Sequence, residues 1–377
     1  MTLPDANQQG QQANGFSGSY AAADVTLLLH PLRLDYTDVA EKERLIQSGQ
    51  KHYSEMLSQE SAPSDLHQRC YQQALAAGLD RLACEVQSLA LALQQTQAHG
   101  QPIVLVSLVR AGLPIGVMLK HALSDLGCVV QHYGVSIIRD RGLDPVAYAW
   151  LRQRYAYAQL IFVDGWTGKG AISRELSQNL CTDPDYDGVV RLLTLADVSG
   201  MAWLTASADD WLIPSGILGS TVSGLISRTV YQADQWHGCQ IYHDLAAVDV
   251  SQALIDQVNQ TRRQLPPHTV SAAVWPEALR QQQQQQASRV IAELAARFDV
   301  QQPNRIKPSI AEATRAVLRR VPDRVLLRDA NDPHTALLCH LAAERGAPVD
   351  ILGDALGPYR AVTIIQRREK PSVSPVR

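Results

Sequence analysis

The chain has 377 residues, of which 46% are hydrophobic and 19% charged, and a formal net charge of −3. That balance is a globular one, and no apolar run reaches the ~18 residues that a membrane span needs. The length suits two domains, at roughly 100 to 200 residues each.

The charge is uneven along the chain: from Asp299 onward there are 13 Lys and Arg against 9 Asp and Glu, and before it 21 against 28. A nucleic-acid role is therefore admissible for the C-terminal piece and disfavoured for the body. Met1 to Asn14 is polar and Gln-rich, without the basic start and apolar centre of a signal peptide, so a cytoplasmic location and no membrane partner are expected. Cys70, Cys84, Cys128, Cys181, Cys239 and Cys339 are scattered with no C-x-x-C pair, as ordinary reduced thiols would be.

In chain order, residues 1–15 are expected to be disordered, and Phe16 to Tyr20 opens the ordered part. Apolar residues at helical spacing predict helices over Asp38 to Leu57 and Leu66 to Gln95. An α/β alternation follows: a strand at Ile103 to Val109, a helix at Pro114 to Leu126, a strand at Val129 to Ile138, a helix at Pro145 to Tyr157 and a strand at Leu160 to Val163. A helix over Ala171 to Leu180 and a strand over Val189 to Leu195 complete it, and the alternation predicts a parallel sheet covered on both faces. A Gly/Ser-rich stretch spans Pro214 to Thr229. The domain boundary is expected near Gln264 to His268. Beyond it, residues 266–300 read as a linker helix that contains the glutamine run Gln281 to Gln286. Residues 301–370 repeat α/β grammar on a small scale, with helices at 310–321 and 332–345 and strands at 324–327, 349–352 and 362–365; residues 371–377 are expected to be a disordered tail.

Two strand ends carry candidate chemistry. Leu160 to Ile172 runs from a buried strand through Asp164 into Gly165-Trp166-Thr167-Gly168-Lys169-Gly170 and opens a helix, the build of a phosphate cradle. Walker spacing is absent because Gly170, not Ser or Thr, follows Lys169, and the G-x-G-x-x-G fingerprint is absent too. Val106 to Gly116 similarly brings Arg110-Ala111-Gly112 from a strand into a helix.

With these two loops the chain resembles the type I phosphoribosyltransferases. The wider set, Phe16 to Tyr20, His132 to Gly142, Phe162 to Gly170 and Pro214 to Thr221, resembles one family associated with tellurite-resistance and stress operons and labelled "cysteine protease StiP". The resemblance implies a parallel-sheet type I phosphoribosyltransferase fold over residues 16–265 and a smaller L7Ae/Pelota-like α/β/α domain over 301–370. It implies transfer from phosphoribosyl pyrophosphate to an unidentified base-like acceptor. Asp164 would hold the ribose hydroxyls, Thr167, Gly168, Lys169 and Gly170 the 5'-phosphate, and Arg110, Ala111 and Gly112 the pyrophosphate. Arg139 and Arg141 would close as a lid. Ser19, Tyr20, Trp166, Ser215, Ser220 and Thr221 are candidates for surrounding the acceptor. Magnesium would ride mainly on the substrate, with Asp164 its one direct protein contact. RNA is the implied partner of the small domain, and a homodimer is a candidate assembly.

The bland readings stay beside these. Asp164 and Thr167 suit a strand-capping turn, Arg110 a surface ion pair, and Arg139 and Arg141 a solvated turn. Arg315, Arg319 and Arg320 recur along one helix, either as a rail for RNA phosphates or as a solvated basic face. Two other functions stay open. One is a binding-only sensor of a phosphoribosyl ligand that also binds RNA. The other is a cysteine protease, with Cys239 between His237 and His243, or Cys339 beside His340, as candidate pairs.

Overall fold

A computed structural model describes residues 15–96 and 101–366. The ends expected to be disordered, 1–15 and 371–377, lie outside the described residues but for Gly15. The strands are β1 (Thr26–Leu27), β2 (His30–Pro31), β3 (Ile103–Val109), β4 (Val130–Ile138), β5 (Gly142–Leu143), β6 (Leu160–Thr167), β7 (Leu192–Asp197), β8 (Leu204–Ser207), β9 (Gly238–Cys239), β10 (Ile306–Pro308), β11 (Pro322–Leu327), β12 (Val349–Ile351) and β13 (Ala361–Ile365). The helices are α1 (Val39–Gln47), α2 (Asp65–Thr96), α3 (Gly112–Asp125), α4 (Pro145–Arg152), α5 (Ala171–Leu180), α6 (Ser251–Gln264), α7 (Glu277–Arg297), α8 (Ile310–Arg319) and α9 (Ala336–Glu344).

The fold is mixed α/β around a mostly parallel sheet of order β1-β4-β3-β6-β7-β8, with β5 antiparallel on β4. Strand β3, Ile-Val-Leu-Val-Ser-Leu-Val, is apolar on both faces because it lies at the centre, between β4 and β6, and each face meets a helical layer. Leu105 joins the core under α2, α3 and α6, whereas Val104, Val106 and Leu108 join the core under α4 and α5. Ten of the fourteen residues of α3 are buried, because the helix is held between the sheet and the α2–α6 pair. Gly112 opens α3 against the neighbouring strand: a Cβ there would stand 2.1 Å from the Val163 carbonyl oxygen.

A second sheet, β10-β13-β11-β12, has β13 antiparallel to both neighbours. Its α8–α9 side is continuous with the large core through Ile310, Val317 and Leu338, while α7 covers the other side with Val290 and Leu294. The glutamine run is helical and docks on the large sheet: Gln283 donates to the Val198 carbonyl at 3.0 Å.

Several expected boundaries differ. The helix read over Asp38 to Leu57 stops at Gln47, because Gly49 takes φ 70° and turns the chain away. Helix α6 and the short strands β1, β2, β8, β9 and β10 had no periodic signal long enough to read. The stretch Leu265 to Pro276 turns at Pro267–His268 and then runs without helix beside α2, where Ala273 N donates to Ser88 O, so the linker helix begins at Glu277.

Candidate functional site

The two sequence-marked loops do meet at the carboxyl edge of the large sheet, where the C-terminal domain closes over them. Asp164, the first residue of β6 beyond its pairing with β3, is half-buried and accepts a hydrogen bond from Gly165 N at 2.8 Å. Burial pushes its carboxyl up to about 7, against the pull of Gly165 N and of the Arg315 charge. Thr167 turns inward: its Oγ1 lies 3.1 Å from Ser199 Oγ and accepts from Gly170 N at 3.0 Å. Gly170 takes φ 71° at the start of α5.

The remaining loop atoms are spent on the C-terminal domain. Tyr359 donates its hydroxyl to the Gly168 carbonyl at 2.9 Å, and Lys169 Nζ donates to the Pro303 and Ile306 carbonyls at 3.0 and 3.1 Å. A Cβ on Gly168 would stand 2.6 Å from Pro308 O and 3.0 Å from Glu312 Oε1. A carboxylate therefore faces the loop where a phosphate was expected, and the loop is a docking seat between domains. Sequence alone misses this because the residues that fill the seat lie about 140 positions downstream.

Arg110 follows β3, with Ala111 at the start of α3, and its charge is already answered. Nη1 donates to Glu60 Oε2 at 2.8 Å and to the Ile226 carbonyl at 3.1 Å, while Glu60 Oε1 accepts from Ser220 N at 2.5 Å. Burial would raise the Glu60 carboxyl, but Arg110 and the Ser220 N–H outweigh it and hold the group at about 2. The ion pair read as a surface feature is in fact half-buried, and Glu60 carried no motif by which to find it. In the expected lid, Arg141 pairs with Glu55 and lies over the Tyr231 ring at 4.0 Å. Arg139 is exposed, and its backbone N donates to Tyr53 Oη at 2.8 Å.

The acceptor candidates separate into two groups. Tyr20 is buried and donates to the Val222 carbonyl at 3.1 Å, beside half-buried Ser19. Trp166 stacks under Arg315, whose guanidinium carbon is 4.6 Å from the ring centroid, and packs near Gly216. Ser215, Ser220 and Thr221 are buried, and their hydroxyls have no hydrogen-bond partner. Of the arginines read along α8, Arg315 is half-buried and lies over Trp166, whereas Arg319 and Arg320 are exposed.

The cysteine pairs named from sequence do not form. Cys239 is fully buried, and burial alone pushes its thiol up to about 12. Cys339 packs against the core, while His340 points outward to Glu344 Oε1 at 3.3 Å. A different cysteine has a histidine on its own helical face: Cys70, one turn beyond His67 in the first turns of α2. His67 Nδ1 is 3.0 Å from Ser64 Oγ, and its Nε2 is buried without a partner. Among the described residues no group of three or more His, Cys, Asp and Glu side chains is placed to hold a metal, and no helix is long and apolar enough to cross a membrane.

Residues 285–367 match the PELOTA RNA binding domain model, and residues 18–259 match the model described as tellurite-like stress resistance cysteine protease StiP. A protein of Acinetobacter baylyi named Cysteine protease StiP is 53% identical over 370 residues, covering 94% of this chain and 96% of that protein. Two solved structures, described as the glutamic acid and asparagine mutants in an analysis of an invariant aspartic acid in HPRTs, align with TM-scores of 0.25. Their identities are 14% and 12%, over 35% and 48% of this chain and 76% and 93% of theirs, and at that score neither bears on fold or activity.

These matches overturn the expectation of a phosphoribosyltransferase. The family model and the 53%-identical relative both carry the name of a cysteine protease, and neither match names a transferase. Phosphoribosyl pyrophosphate and a base-like acceptor fall with that expectation. The chain belongs to the StiP family and carries a Pelota-type domain at its C-terminus.

Proposed function

We propose that this chain is a cysteine protease, and that Cys70 and His67 are its nucleophile and base. The observation that carries the reading is the kinship with a protein of that name over nearly the whole of both chains. A nucleophilic thiol needs water access and a nearby base: Cys239 is fully buried and His340 beside Cys339 is directed to Glu344, whereas His67 lies one turn from Cys70 on the same helix. Cys70 is half-buried, and burial raises its thiol while the neighbouring Arg69 pulls it down. Burial lowers His67, against the pull of Glu344. The resting pair is therefore a neutral thiol and a neutral imidazole. Base-assisted attack follows: the Sγ proton passes to His67 Nε2 as sulfur bonds to the scissile carbonyl carbon. The imidazolium then protonates the leaving amine as the C–N bond breaks, and water hydrolyses the thioester.

The test is cleavage of an unfolded protein by the reduced full chain, followed by mass spectrometry. Cys70→Ser and His67→Ala each abolish cleavage on this reading, while Cys239→Ser and Cys339→Ser leave it. Full activity in Cys70→Ser overturns the residue assignment. Absence of cleavage by the wild-type chain, together with no alkylation of Cys70 by iodoacetamide, overturns the protease reading.

RNA is the second partner we infer, for the C-terminal domain, on the strength of its match to an RNA-binding model. Several of its arginines are committed elsewhere: Arg324 pairs with Asp323 and Asp350, and Arg360 with Asp209 and Asp332. Filter binding of a single-stranded RNA to the full chain, with a steep loss of affinity as salt rises, is the expected result; binding no tighter than that of an acidic control protein refutes it.

A further inference from the structure

The small sheet has two edges, and the fold treats them differently. Strand β10 borders the large domain, where its Ile306 carbonyl accepts from Lys169 Nζ at 3.1 Å, so that edge is covered. Strand β12 is the other edge, and among the described residues no strand pairs with its outer side. Its inner side is fixed: Val325 N donates to the Pro348 carbonyl and Leu352 N to the Leu327 carbonyl, both at 2.9 Å. Backbone groups alternate in direction along a parallel ladder, so residues 348, 350 and 352 face β11, and the N–H and C=O groups of Val349 and Ile351 point outward.

The side chains at the same two positions are apolar and meet water. The register sets Val349 beside Val325 and Ile351 beside Leu327, two members of the core under α8 and α9. β12 lies at the rim of that cover, and Val349 and Ile351 stay 40% and 50% exposed. Folded proteins commonly blunt such an edge with a charge. The charge on β12, Asp350, lies on the opposite face beside Leu326 and is answered by Arg324 at 2.9 Å. Arg324 also serves Asp323 at 3.2 Å, so two carboxylates share one guanidinium and the rim keeps a surplus negative charge.

We propose that the outer edge of β12 binds an extended segment of a partner protein, which joins the small sheet as a further strand. The occupant carries alternating apolar residues that cover Val349 and Ile351, with a Lys or Arg between two of them, opposite Asp350. An antiparallel strand exchanges two backbone hydrogen bonds with each of Val349 and Ile351. A second copy of β12 fits less well, because the antiparallel register that pairs Val349 with Ile351 in both directions sets the two Asp350 carboxylates against each other. The proposal requires neither cleavage nor RNA, so it stands apart from both readings above.

Fluorescence anisotropy of a labelled Val-Thr-Val-Lys-Val-Thr-Val peptide, titrated with the full chain, tests the proposal. One peptide per chain is expected. Ile351→Lys weakens binding by about tenfold or more, since it removes apolar contact and repels the peptide's Lys. Ile351→Pro weakens it similarly: the N–H that it removes points outward, so the ladder to β11 stays whole. Glu in place of the peptide's Lys weakens binding by about two- to fivefold. Val274→Lys, at an exposed position outside the sheets, changes nothing. If Ile351→Pro does not fold, Ile351→Lys still decides the matter. Undetectable binding to the wild-type chain, unaltered affinity in both Ile351 variants, or a wild-type dimer in sedimentation that Ile351→Lys dissociates overturns the proposal.

Discussion

Glu60→Gln is the substitution whose effect the structure fixes most closely. Glu60 Oε2 accepts from Arg110 at 2.8 Å and Oε1 from Ser220 N at 2.5 Å, so the carboxylate ties the loop after β3 to the Gly/Ser-rich stretch. Its carboxyl titrates near 4.5 when unperturbed and near 2 here. At about 1.4 kcal/mol per pH unit, that difference is worth about 3 kcal/mol of folding stability. The folded value lies below the unfolded one, so the contribution is complete above about pH 5 and is lost as the pH falls toward 2; roughly half is gone by pH 3. Glutamine keeps an acceptor but no charge, and it leaves Arg110 half-buried without a counter-ion. Urea unfolding at pH 7 should therefore show Glu60→Gln about 3 kcal/mol less stable than the wild-type chain, with the gap narrowing to about half at pH 3. A gap below about 1 kcal/mol at pH 7, or one that does not change with pH, refutes the reasoning.

Two further substitutions test how the loops and domains are held. Gly112→Ala sets a Cβ 2.1 Å from the Val163 carbonyl, backbone against backbone, so a loss of at least about 3 kcal/mol is expected in thermal unfolding; a loss below about 1 kcal/mol would show that the strand can yield. Asp210 is buried and accepts from Ile310 N and Arg360 N, both at 2.9 Å, across the domain junction. Asp210→Ala orphans both N–H groups, and limited proteolysis within Leu265 to Pro276 should become faster; an unchanged digestion pattern refutes that role.

The sequence by itself determined the central strands β3, β4, β6 and β7 of the large sheet and the helices α2, α3, α4 and α5 around them. A short continuous apolar run rich in β-branched residues, such as Ile103 to Val109, reads as a strand buried on both faces, and the alternation with helices favours parallel neighbours. It also brought Asp164 and Arg110 to one edge, because both lie just past the paired parts of two adjacent parallel strands. Tertiary structure alone decided what those residues face. The Gly165 to Gly170 loop looked like an open cradle because local sequence encodes its backbone. Lys169, Gly168 and their partners Pro303, Ile306 and Tyr359 meet only when the second domain docks. Glu60 and Arg110 pair across fifty residues with no periodicity to announce it, and Arg315 is turned inward by the packing of α8 on the large core. Local interactions fix elements, and long-range docking fixes which charges are paired, buried or left over.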